Sequence, residues 1–265
     1  MGKKLQHLHK LINRYRSAVI AFSGGADSTF LASIAGEALP KRVLLVTASF
    51  PSFPRAELHQ AKSLARRLGL PHRVISFKQT AVAGFSGNPT DRCYRCKRGL
   101  FYKISTIARK QGYEAVFDGS NADDAQDYRP GRKALRELGV ISPLSEAKLT
   151  KKEIRRLSAG RGLATADKPP AACLASRFPY GERITERKLR RVDRAETALR
   201  KLGFRQFRVR SHGDCARIEI NQAELEKAWK MRTVISKACK KSGFVFVAID
   251  ADGYRTGAMN EALGL

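Results

Sequence analysis

The sequence lacks a long hydrophobic run and is poor in cysteine. No apolar stretch approaches the roughly 18 residues that a membrane-spanning helix requires, which excludes a helical membrane protein. Residues 1–7 are charged and amphipathic and lack the apolar core of a signal peptide, so we expect a cytoplasmic protein. Five cysteines are an odd number for a disulfide framework. The thiols therefore raise the question of metal or sulfur chemistry.

Acidic residues are also scarce: 24 Asp and Glu stand against 51 Lys and Arg, a net charge of +27. Such a balance predicts attraction to polyanions, either nucleic acid, nucleotides or phosphorylated metabolites, although it is also compatible with a general surface bias. With 265 residues and 43% hydrophobic residues, the chain has enough apolar content for one large and one small domain. We find no internal repeats and no low-complexity tract.

The first two-thirds of the chain alternates short apolar strands with amphipathic helices. This alternation predicts an α/β fold, a parallel sheet covered by helices on both faces. The predicted strands span residues 18–22, 42–47, 73–77 and 115–117, and the predicted helices span 28–39, 57–68 and 97–111. In such sheets ligands bind beyond the carboxyl ends of the strands.

Two consecutive prolines near residue 169 end this pattern, because proline stops a helix. We therefore predict a first domain over residues 1–168, a linker over 169–182 that carries Cys173, and a small α+β domain over 183–265. The last domain begins with a basic helix. Its remaining predicted elements are two alternating strands, a helix and a strand, over residues 206–210, 216–220, 223–240 and 244–249.

A glycine-containing loop follows the first predicted strand and opens a helix. Gly24 and Gly25 allow backbone N–H groups to approach phosphate oxygens, and the helix N-terminus adds its positive end. Ser23 and Ser28 supply hydroxyl donors, and Asp27 suits Mg²⁺ or orientation of the loop. No lysine follows the second glycine as in a Walker A loop, which disfavours kinase-type transfer of a γ-phosphate. The alternative is a helix-capping turn of small residues.

Polar residues also follow two other strands. Ser49 lies at the end of the second strand, and Asp118 and Asn121 follow the fourth. Acidic groups at this edge suit Mg²⁺ beside the phosphates, and Arg129 suits a phosphate or a carboxylate. The alternative for the Asp118 segment is a cap for the following helix.

Cys93 and Cys96 form a C-x-x-C pair just before the predicted helix over 97–111. Two cysteines cannot close a four-ligand zinc site. With Cys173 they suffice for three irons of a [4Fe–4S] cluster, leaving one iron open. A redox dithiol and half of a zinc site remain alternatives, as does a structural role for Cys173. The other two cysteines have ordinary settings for small buried thiols: Cys215 and Cys239.

Charged residues alternate on the predicted strands of the small domain. Arg208 and Arg210 lie two apart and point to one face, as do Arg217 and Glu219, and Glu196 lies on the preceding helix. A solvated face is the default interpretation of such a charge run. Arginines directed inward instead form a receptor for phosphate or carboxylate.

Five segments, taken in order, resemble the LarE family: SGGADS, DRCYRCK, DGSNADDAQDYRPG, SPLSEAKLTKKEIRRLS and DKPPAACLASRFPYGERIT. Its members are ATP-dependent sulfur transferases of the nickel-pincer cofactor pathway that serves lactate racemase. The resemblance covers roughly residues 5–220, and CLASRFPYG is its most specific part. It implies a parallel-sheet ATP pyrophosphatase domain (adenine nucleotide alpha hydrolase-like, PP-loop) followed by a small C-terminal α+β domain.

The resemblance also implies a reaction. ATP adenylates a carboxylate of a pyridinium dicarboxylic acid mononucleotide, pyrophosphate leaves, and sulfur delivery gives a thiocarboxylate. Cys173 matches the cysteine that surrenders its own sulfur in some members. Together with Cys93 and Cys96, it resembles the three-cysteine subgroup, and this resemblance implies a [4Fe–4S] cluster carrying an extra sulfide.

The implied site residues fall into four sets. Cys173 is the catalytic residue. Nucleotide binding involves Ser23, Gly24, Gly25, Asp27, Ser28, Ser49, Asp118, Asn121 and Arg129. Substrate binding involves Arg177, Arg208 and Arg210. The metal ligands are Cys93, Cys96 and Cys173 for iron–sulfur, with Glu196 and Glu219 for a second metal.

The implied cofactors are ATP, Mg²⁺ and the [4Fe–4S] cluster. The implied partners are a small nucleotide-like substrate, further copies of the chain in a homo-oligomer, and, transiently, the pathway's carboxylase and nickel-insertion enzymes. The main rival is a tRNA-thiolating enzyme of the same fold, which the charge of +27 suits. A second rival is a non-enzymatic ATP-binding module with a structural zinc. No membrane partner is expected.

Overall fold

The computed structural model describes residues 2–125, 131–169, 172–255, 257–259 and 261. The chain forms two compact units, which are described separately below. Unit 1 comprises residues 1–50, 55–82 and 91–171, and unit 2 comprises residues 51–54, 83–90 and 172–265. None of the helices within the described ranges is long and apolar enough to cross a membrane.

Unit 1 is built on a parallel sheet of four strands. These are β1 (Ala18–Ala21), β2 (Val43–Ser49), β3 (His72–Ser76) and β4 (Ala115–Phe117), in the order β3-β2-β1-β4. The register aligns Ala18 with both Val43 and Ala115, so the carboxyl ends of β1, β2 and β4 lie at one edge. The predicted parallel α/β architecture is confirmed.

The sheet is buried on both faces at β1, β2 and β4, whose strands are mostly apolar, whereas the edge strand β3 is largely exposed. Leu45 of β2 belongs to the core on one face, while Leu44 and Val46 belong to the core on the other. The surrounding helices are α1 (Gly2–Ile12), α2 (Ala26–Ala38), α3 (Arg55–Arg67), α4 (Arg92–Lys110), α5 (Gly131–Glu137), α6 (Pro143–Glu146) and α7 (Lys151–Gly160). Each fully buried leucine contributes about 1.5–3 kcal/mol of transfer free energy.

Helix α4 begins earlier than the sequence predicts. It starts at Arg92 and not near residue 97, so the C-x-x-C pair lies in its first two turns. Arg95 pairs with the Asp91 carboxylate at 2.9 Å across one helical turn, which stabilises this basic start. Cys93 and Cys96 therefore share one face of a helix.

Unit 2 contains a three-stranded sheet with β5 (Phe207–His212), β6 (Cys215–Ile220) and β7 (Phe246–Ile249) in sequential order. Strands β5 and β6 are antiparallel, and β7 is parallel to β6. Its helices are α8 (Glu186–Lys201), α9 (Leu225–Lys230) and α10 (Arg232–Lys241). The predicted helix over 223–240 is therefore two helices, which are divided at Met231 (φ −94°, ψ 8°).

The segment after residue 171, predicted as a linker, is packed within unit 2. Leu174 and Ala175 are fully buried, and Phe178 is nearly so. Asn88, which is buried and left-handed (φ 53°), donates its side-chain amide to the carbonyls of Phe178 and Pro179. Two short segments from the predicted first domain, residues 51–54 and 83–90, thus help to build unit 2.

Candidate active site

In unit 1 the glycine loop links the end of β1 to the start of α2. Gly24 is left-handed (φ +70°), and a Cβ there would lie 2.9 Å from the Ala61 Cα of α3, so only glycine fits. Ser23 Oγ lies 3.1 Å from Ser28 Oγ and accepts the Gly25 N–H at 3.3 Å. The first N–H groups of α2 lack helical acceptors, so the loop is suited to bind an anion.

Asp27, in the first turn of α2, is only partly engaged. Its Oδ2 accepts from Lys151 Nζ at 2.5 Å. Its Oδ1 is buried and has no hydrogen-bond partner among the described residues. An unsatisfied carboxylate oxygen beside an anion-binding loop is the ligand type that Mg²⁺ prefers, so the predicted magnesium fits these residues.

Lys168 also contacts the loop, which the sequence analysis did not predict. Its Nζ donates to the Gly24 carbonyl at 2.9 Å and pairs with Glu57 at 2.6 Å. Both side chains are largely buried, with exposed fractions of 9% and 15%. The loop thus has two lysines beside it, Lys151 and Lys168.

The end of β4 lies against the same loop. A Cβ on Gly119 would lie 3.1 Å from the Ser28 amide nitrogen, which leaves no room for a side chain. Asp118 is buried and accepts from the hydroxyls of Ser120 and Ser142. The Asn121 Oδ1 caps the short 3₁₀ turn that follows, accepting the amide of residue 123 at 2.9 Å. Of the predicted nucleotide-binding residues at this edge, Arg129 lies outside the described residues.

At the end of β2, Ser49 is half-buried, and its carbonyl accepts from the Phe77 amide at 2.9 Å. Two residues earlier, Thr47 donates to the Phe22 carbonyl at 2.6 Å and contacts His72 Nε2 at 2.8 Å. Burial lowers the pKa of His72, which favours the neutral ring. These contacts fix the strand ends from which the loop departs.

The two helical thiols of unit 1 have nitrogen donors beside them. Buried Gln79 donates its amide to Cys96 Sγ at 3.0 Å, and Arg92 Nη2 lies 3.9 Å from Cys93 Sγ. Cys93 is exposed and Cys96 is half-buried. Amide and guanidinium donors stabilise thiolate sulfur, so this donor set fits cysteine ligands of an iron–sulfur cluster.

In unit 2, Cys173 presents an exposed thiol on a rigid backbone. Its Sγ lies 2.9 Å from the hydroxyl oxygen of Ser52, a fully buried residue whose carbonyl accepts the Leu174 amide at 2.9 Å. The Cys173 carbonyl accepts from the Ser176 amide at 3.0 Å and from Arg177 at 3.3 Å. The thiol is therefore accessible and its position is fixed.

The predicted substrate arginines of unit 2 form buried pairs with glutamates. Arg177 donates to both carboxylate oxygens of Glu196, at 2.8 and 3.2 Å. Arg210 does the same with Glu219, at 2.9 and 2.7 Å. Although burial acts to raise the pKa of Glu196, attraction and hydrogen bonds from Arg177 outweigh it, and the pKa is lowered. Both pairs are bidentate.

Arg208 differs from these two arginines. It stacks over the Tyr254 ring at 5.0 Å and donates to the Phe207 carbonyl at 2.7 Å. Burial, followed by repulsion from Arg177, lowers its pKa. Because arginine still stays protonated near neutral pH, an anionic group would be stabilised here.

This cluster is joined to the cysteine segment. Arg210 donates to the Ser176 carbonyl at 2.9 Å, three residues beyond Cys173. The register pairs Arg208 with Glu219 and Arg210 with Arg217, which places all four side chains on one face of the sheet.

The predicted second metal does not fit Glu196 and Glu219 in this arrangement. The four carboxylate oxygens already face arginine side chains, and Glu196 also accepts the Val209 amide at 3.2 Å. A cation would have to displace these partners. Within either unit, the described residues form no group of three or more histidine, cysteine or acidic side chains that could hold one metal ion.

The remaining two cysteines are distinct from the exposed thiols. Cys239 is fully buried, and burial raises its pKa to about 12, so its thiol is inert as a nucleophile at neutral pH. Cys215 is half-buried on β6. The burial predicted for Cys239 is thereby confirmed, whereas Cys215 is less buried than predicted.

Four contact residues were not predicted from the sequence: Ser52, Gln79, Lys151 and Lys168. Each lies far along the chain from the group that it contacts, and only Lys168 had a local signal, its position before two prolines. A single sequence carries no direct information about such pairings.

The fold and the loop together define a PP-loop nucleotide-binding enzyme. The sequence profile of the family described as asparagine synthase matches residues 15–217. An uncharacterized protein of Synechocystis is 40% identical over 99% of both chains. The pyridinium-3,5-bisthiocarboxylic acid mononucleotide synthase of Lactiplantibacillus plantarum is 36% identical over 92% of this chain and 89% of its own.

A more distant relative is the tRNA-specific 2-thiouridylase MnmA of Rickettsia bellii, 26% identical over 59% of this chain and 53% of its own. The chain belongs to the LarE family of ATP-dependent sulfur transferases, within the PP-loop fold. The predicted family, fold class and enzyme class are confirmed. The rival of a non-enzymatic ATP-binding module is wrong.

Proposed function

We propose that this enzyme adenylates a carboxylate of a pyridinium dicarboxylic acid mononucleotide and converts it to a thiocarboxylate. The observation that carries the proposal is Cys173, an exposed thiol with fixed backbone and side-chain contacts in the segment most similar to the family. A relative that is 36% identical over nearly the whole chain is named for synthesis of the bisthiocarboxylic acid mononucleotide.

Adenylation would use the loop of unit 1. A substrate carboxylate oxygen attacks the α-phosphorus of ATP, the bond to the β-phosphate breaks, and pyrophosphate leaves. The N–H groups at the start of α2, together with Ser23 and Ser28, would stabilise the phosphate charge. Ser49, Asp118, Asn121 and Arg129 stay predicted ligands of the nucleotide.

Magnesium would bind at Asp27, whose Oδ1 is buried without a partner among the described residues. It would supply neutralising charge for the departing pyrophosphate. Lys151, which holds the other oxygen of Asp27 at 2.5 Å, orients the carboxylate.

Sulfur transfer would replace AMP. A sulfur nucleophile attacks the acyl carbon of the adenylate, and the bond to the AMP oxygen breaks, which leaves a thiocarboxylate. Cys93, Cys96 and Cys173 would hold a [4Fe–4S] cluster, and that cluster would supply a replaceable sulfide. The alternative is the sulfur of Cys173 itself: its thiolate would displace AMP to give a thioester, and loss of the α-proton with cleavage of the Cβ–S bond would release the thiocarboxylate and leave dehydroalanine, once per protein molecule.

The arginine cluster would bind the substrate's phosphate. Arg177, Arg208 and Arg210 stay its predicted ligands, and Arg177 and Arg210 are each held bidentately by a glutamate. Those two arginines would act mainly by adding positive charge and by supporting the cysteine segment.

The decisive experiment replaces Cys173 with alanine. Purified anaerobically, the protein is given ATP and the dicarboxylate substrate; pyrophosphate is measured enzymatically and the thiocarboxylate by mass spectrometry. We expect pyrophosphate release to persist and thiocarboxylate formation to be lost. Cys215→Ala is the matched control and retains both. Undiminished thiocarboxylate from Cys173→Ala would refute the role of this cysteine.

Iron and acid-labile sulfide analysis of the same anaerobic preparation tests the cluster. Iron bound in wild type and lost from Cys93→Ser supports ligation by Cys93. Full sulfur transfer by iron-free protein, with Cys173 converted to dehydroalanine, instead supports the sacrificial route.

Thiolation of tRNA is the second candidate function, favoured by the charge of +27. A tRNA ligand would bind with an affinity that falls steeply as salt rises, because phosphate contacts release counterions. Thiouridine formation together with such binding would replace our proposal.

A further inference from the structure

We propose that Lys168 is a positioning residue for the phosphate loop: it holds the Gly24–Gly25 peptide in the orientation that binds phosphate. The proposal deepens the nucleotide-binding part of the proposed function and rests on it. Three parts of unit 1 meet at this point: the loop, helix α3 and the chain just before the double proline.

The Gly24–Gly25 peptide is held at both of its polar ends. Lys168 Nζ donates to the Gly24 carbonyl at 2.9 Å, and the Gly25 N–H donates to Ser23 Oγ at 3.3 Å. In a trans peptide the C=O and N–H point in opposite directions. Fixing the carbonyl therefore also fixes the side on which the Gly25 N–H lies.

This peptide needs a contact from elsewhere in the chain to fix its orientation, because the two glycines that form it have no side chains to do so. A flip of this peptide changes ψ of Gly24 and φ of Gly25, which is now −79°; because glycine populates both signs of φ readily, the rotation costs little locally. A flipped peptide would exchange the positions of the N–H and the carbonyl oxygen. An oxygen on the phosphate side would repel the anion that the loop is built to bind.

Lys168 is itself held in place. Its Nζ pairs with Glu57 at 2.6 Å, and the exposed fraction of its side chain is 9%. Glu57 lies one turn before Ala61 on α3, and Ala61 is the residue against which Gly24 packs. Arg155 donates to the Lys168 carbonyl at 2.8 Å. Lys168 thus joins the loop to α3 through a largely buried ion pair.

The direction of the Glu57→Gln effect separates positioning from direct charge. If Lys168 acted only as a positive charge on the phosphates, removing the competing Glu57 carboxylate would tighten ATP binding. If Lys168 acts by holding Gly24, removing its ionic anchor loosens the peptide and weakens ATP binding.

The test measures binding of ATP, inorganic pyrophosphate and adenosine to the full-length protein by calorimetry. We expect Lys168→Met, which loses a charged hydrogen bond, to weaken the binding of ATP and of pyrophosphate by about tenfold. Glu57→Gln retains part of its hydrogen bond to Lys168, so we expect it to weaken both affinities by about threefold. Adenosine, which lacks phosphate, binds both variants as it binds wild type. The double variant is no weaker than Lys168→Met alone.

Lys4→Met is the matched control, because it breaks another lysine–glutamate pair of unit 1, with Glu153 at 2.8 Å. It should leave all three affinities unchanged. Tighter ATP binding by Glu57→Gln, equal loss of adenosine and ATP, or no change in either variant would each overturn the proposal. If Lys168→Met does not fold, Glu57→Gln decides alone. Wild type that fails to bind ATP refutes the proposed function itself.

Discussion

The glycine loop of unit 1 and the arginine cluster of unit 2 are both suited to anions, but they are built in opposite ways. The loop relies on backbone N–H groups and small hydroxyls, and it holds one carboxylate oxygen, Asp27 Oδ1, without a partner among the described residues. The cluster relies on charged side chains that already have carboxylate partners: Arg177 with Glu196, and Arg210 with Glu219.

The loop is therefore a preformed anion site, whereas the charges of the arginine cluster are already neutralised by its own glutamates. An anion entering the loop displaces water and gains fixed dipoles, at little reorganisation cost. An anion entering the cluster competes with glutamates that are only 1% exposed. Arg208, the third arginine of the cluster, donates to the Phe207 carbonyl and stacks on the Tyr254 ring.

The largest expected effect of a substitution on stability is in the cluster. Glu196→Gln leaves the Arg177 guanidinium buried with no charged partner at 2.8 Å, and we expect it to destabilise unit 2 by about 3–5 kcal/mol. Denaturant unfolding followed by circular dichroism measures this loss. ATP affinity at low denaturant should stay at its wild-type value. A loss under about 1 kcal/mol would mean that the cluster tolerates an unpaired arginine, contrary to our comparison.

A substitution in the loop should show the opposite profile. Gly24→Ala places a Cβ 2.9 Å from Ala61 Cα at a positive φ, a strain of roughly 1–2 kcal/mol. We expect a small loss of stability and at least about a tenfold loss of ATP affinity, because the N–H groups move off the phosphates. Gly139→Ala, also at positive φ but in open space, controls for backbone strain alone. Equal ATP affinities in the two variants would contradict a preformed loop.

The same contrast explains what the sequence could predict. The strands and the loop follow from local patterns: the run ending in Ser23–Gly24–Gly25 predicted both β1 and its turn, and β4 was predicted to the residue. The cluster was found as residues but not as pairs, because the Arg177–Glu196 contact spans 19 positions and depends on packing of unit 2.

Contacts made at long range were beyond prediction. Ser52 contacts Cys173 from 121 positions away, and Lys168 reaches Gly24 from 144. The start of α4 was also misplaced, because the Asp91–Arg95 ion pair extends the helix through a segment whose polar composition suggested a loop. A local contact between residues one helical turn apart therefore outweighed the polar composition of the segment.

The smallest expected effect concerns the Lys4–Glu153 ion pair, which is partly exposed to solvent and belongs to neither anion site. Lys4, followed by hydrogen bonds within the capping box of Thr150, lowers the pKa of Glu153 to about 2. Because the folded pKa lies below the unfolded value, the pair stabilises unit 1 above about pH 4.5, and this contribution is lost as the pH falls towards 2. With Lys4 37% exposed, we expect less than about 1 kcal/mol. Glu153→Gln should therefore lower the unfolding midpoint slightly at neutral pH and match wild type in acid. The control is Glu186→Gln, which breaks an exposed ion pair. A difference that persists unchanged into acid would assign the stabilisation to the cap's hydrogen bonds and not to charge.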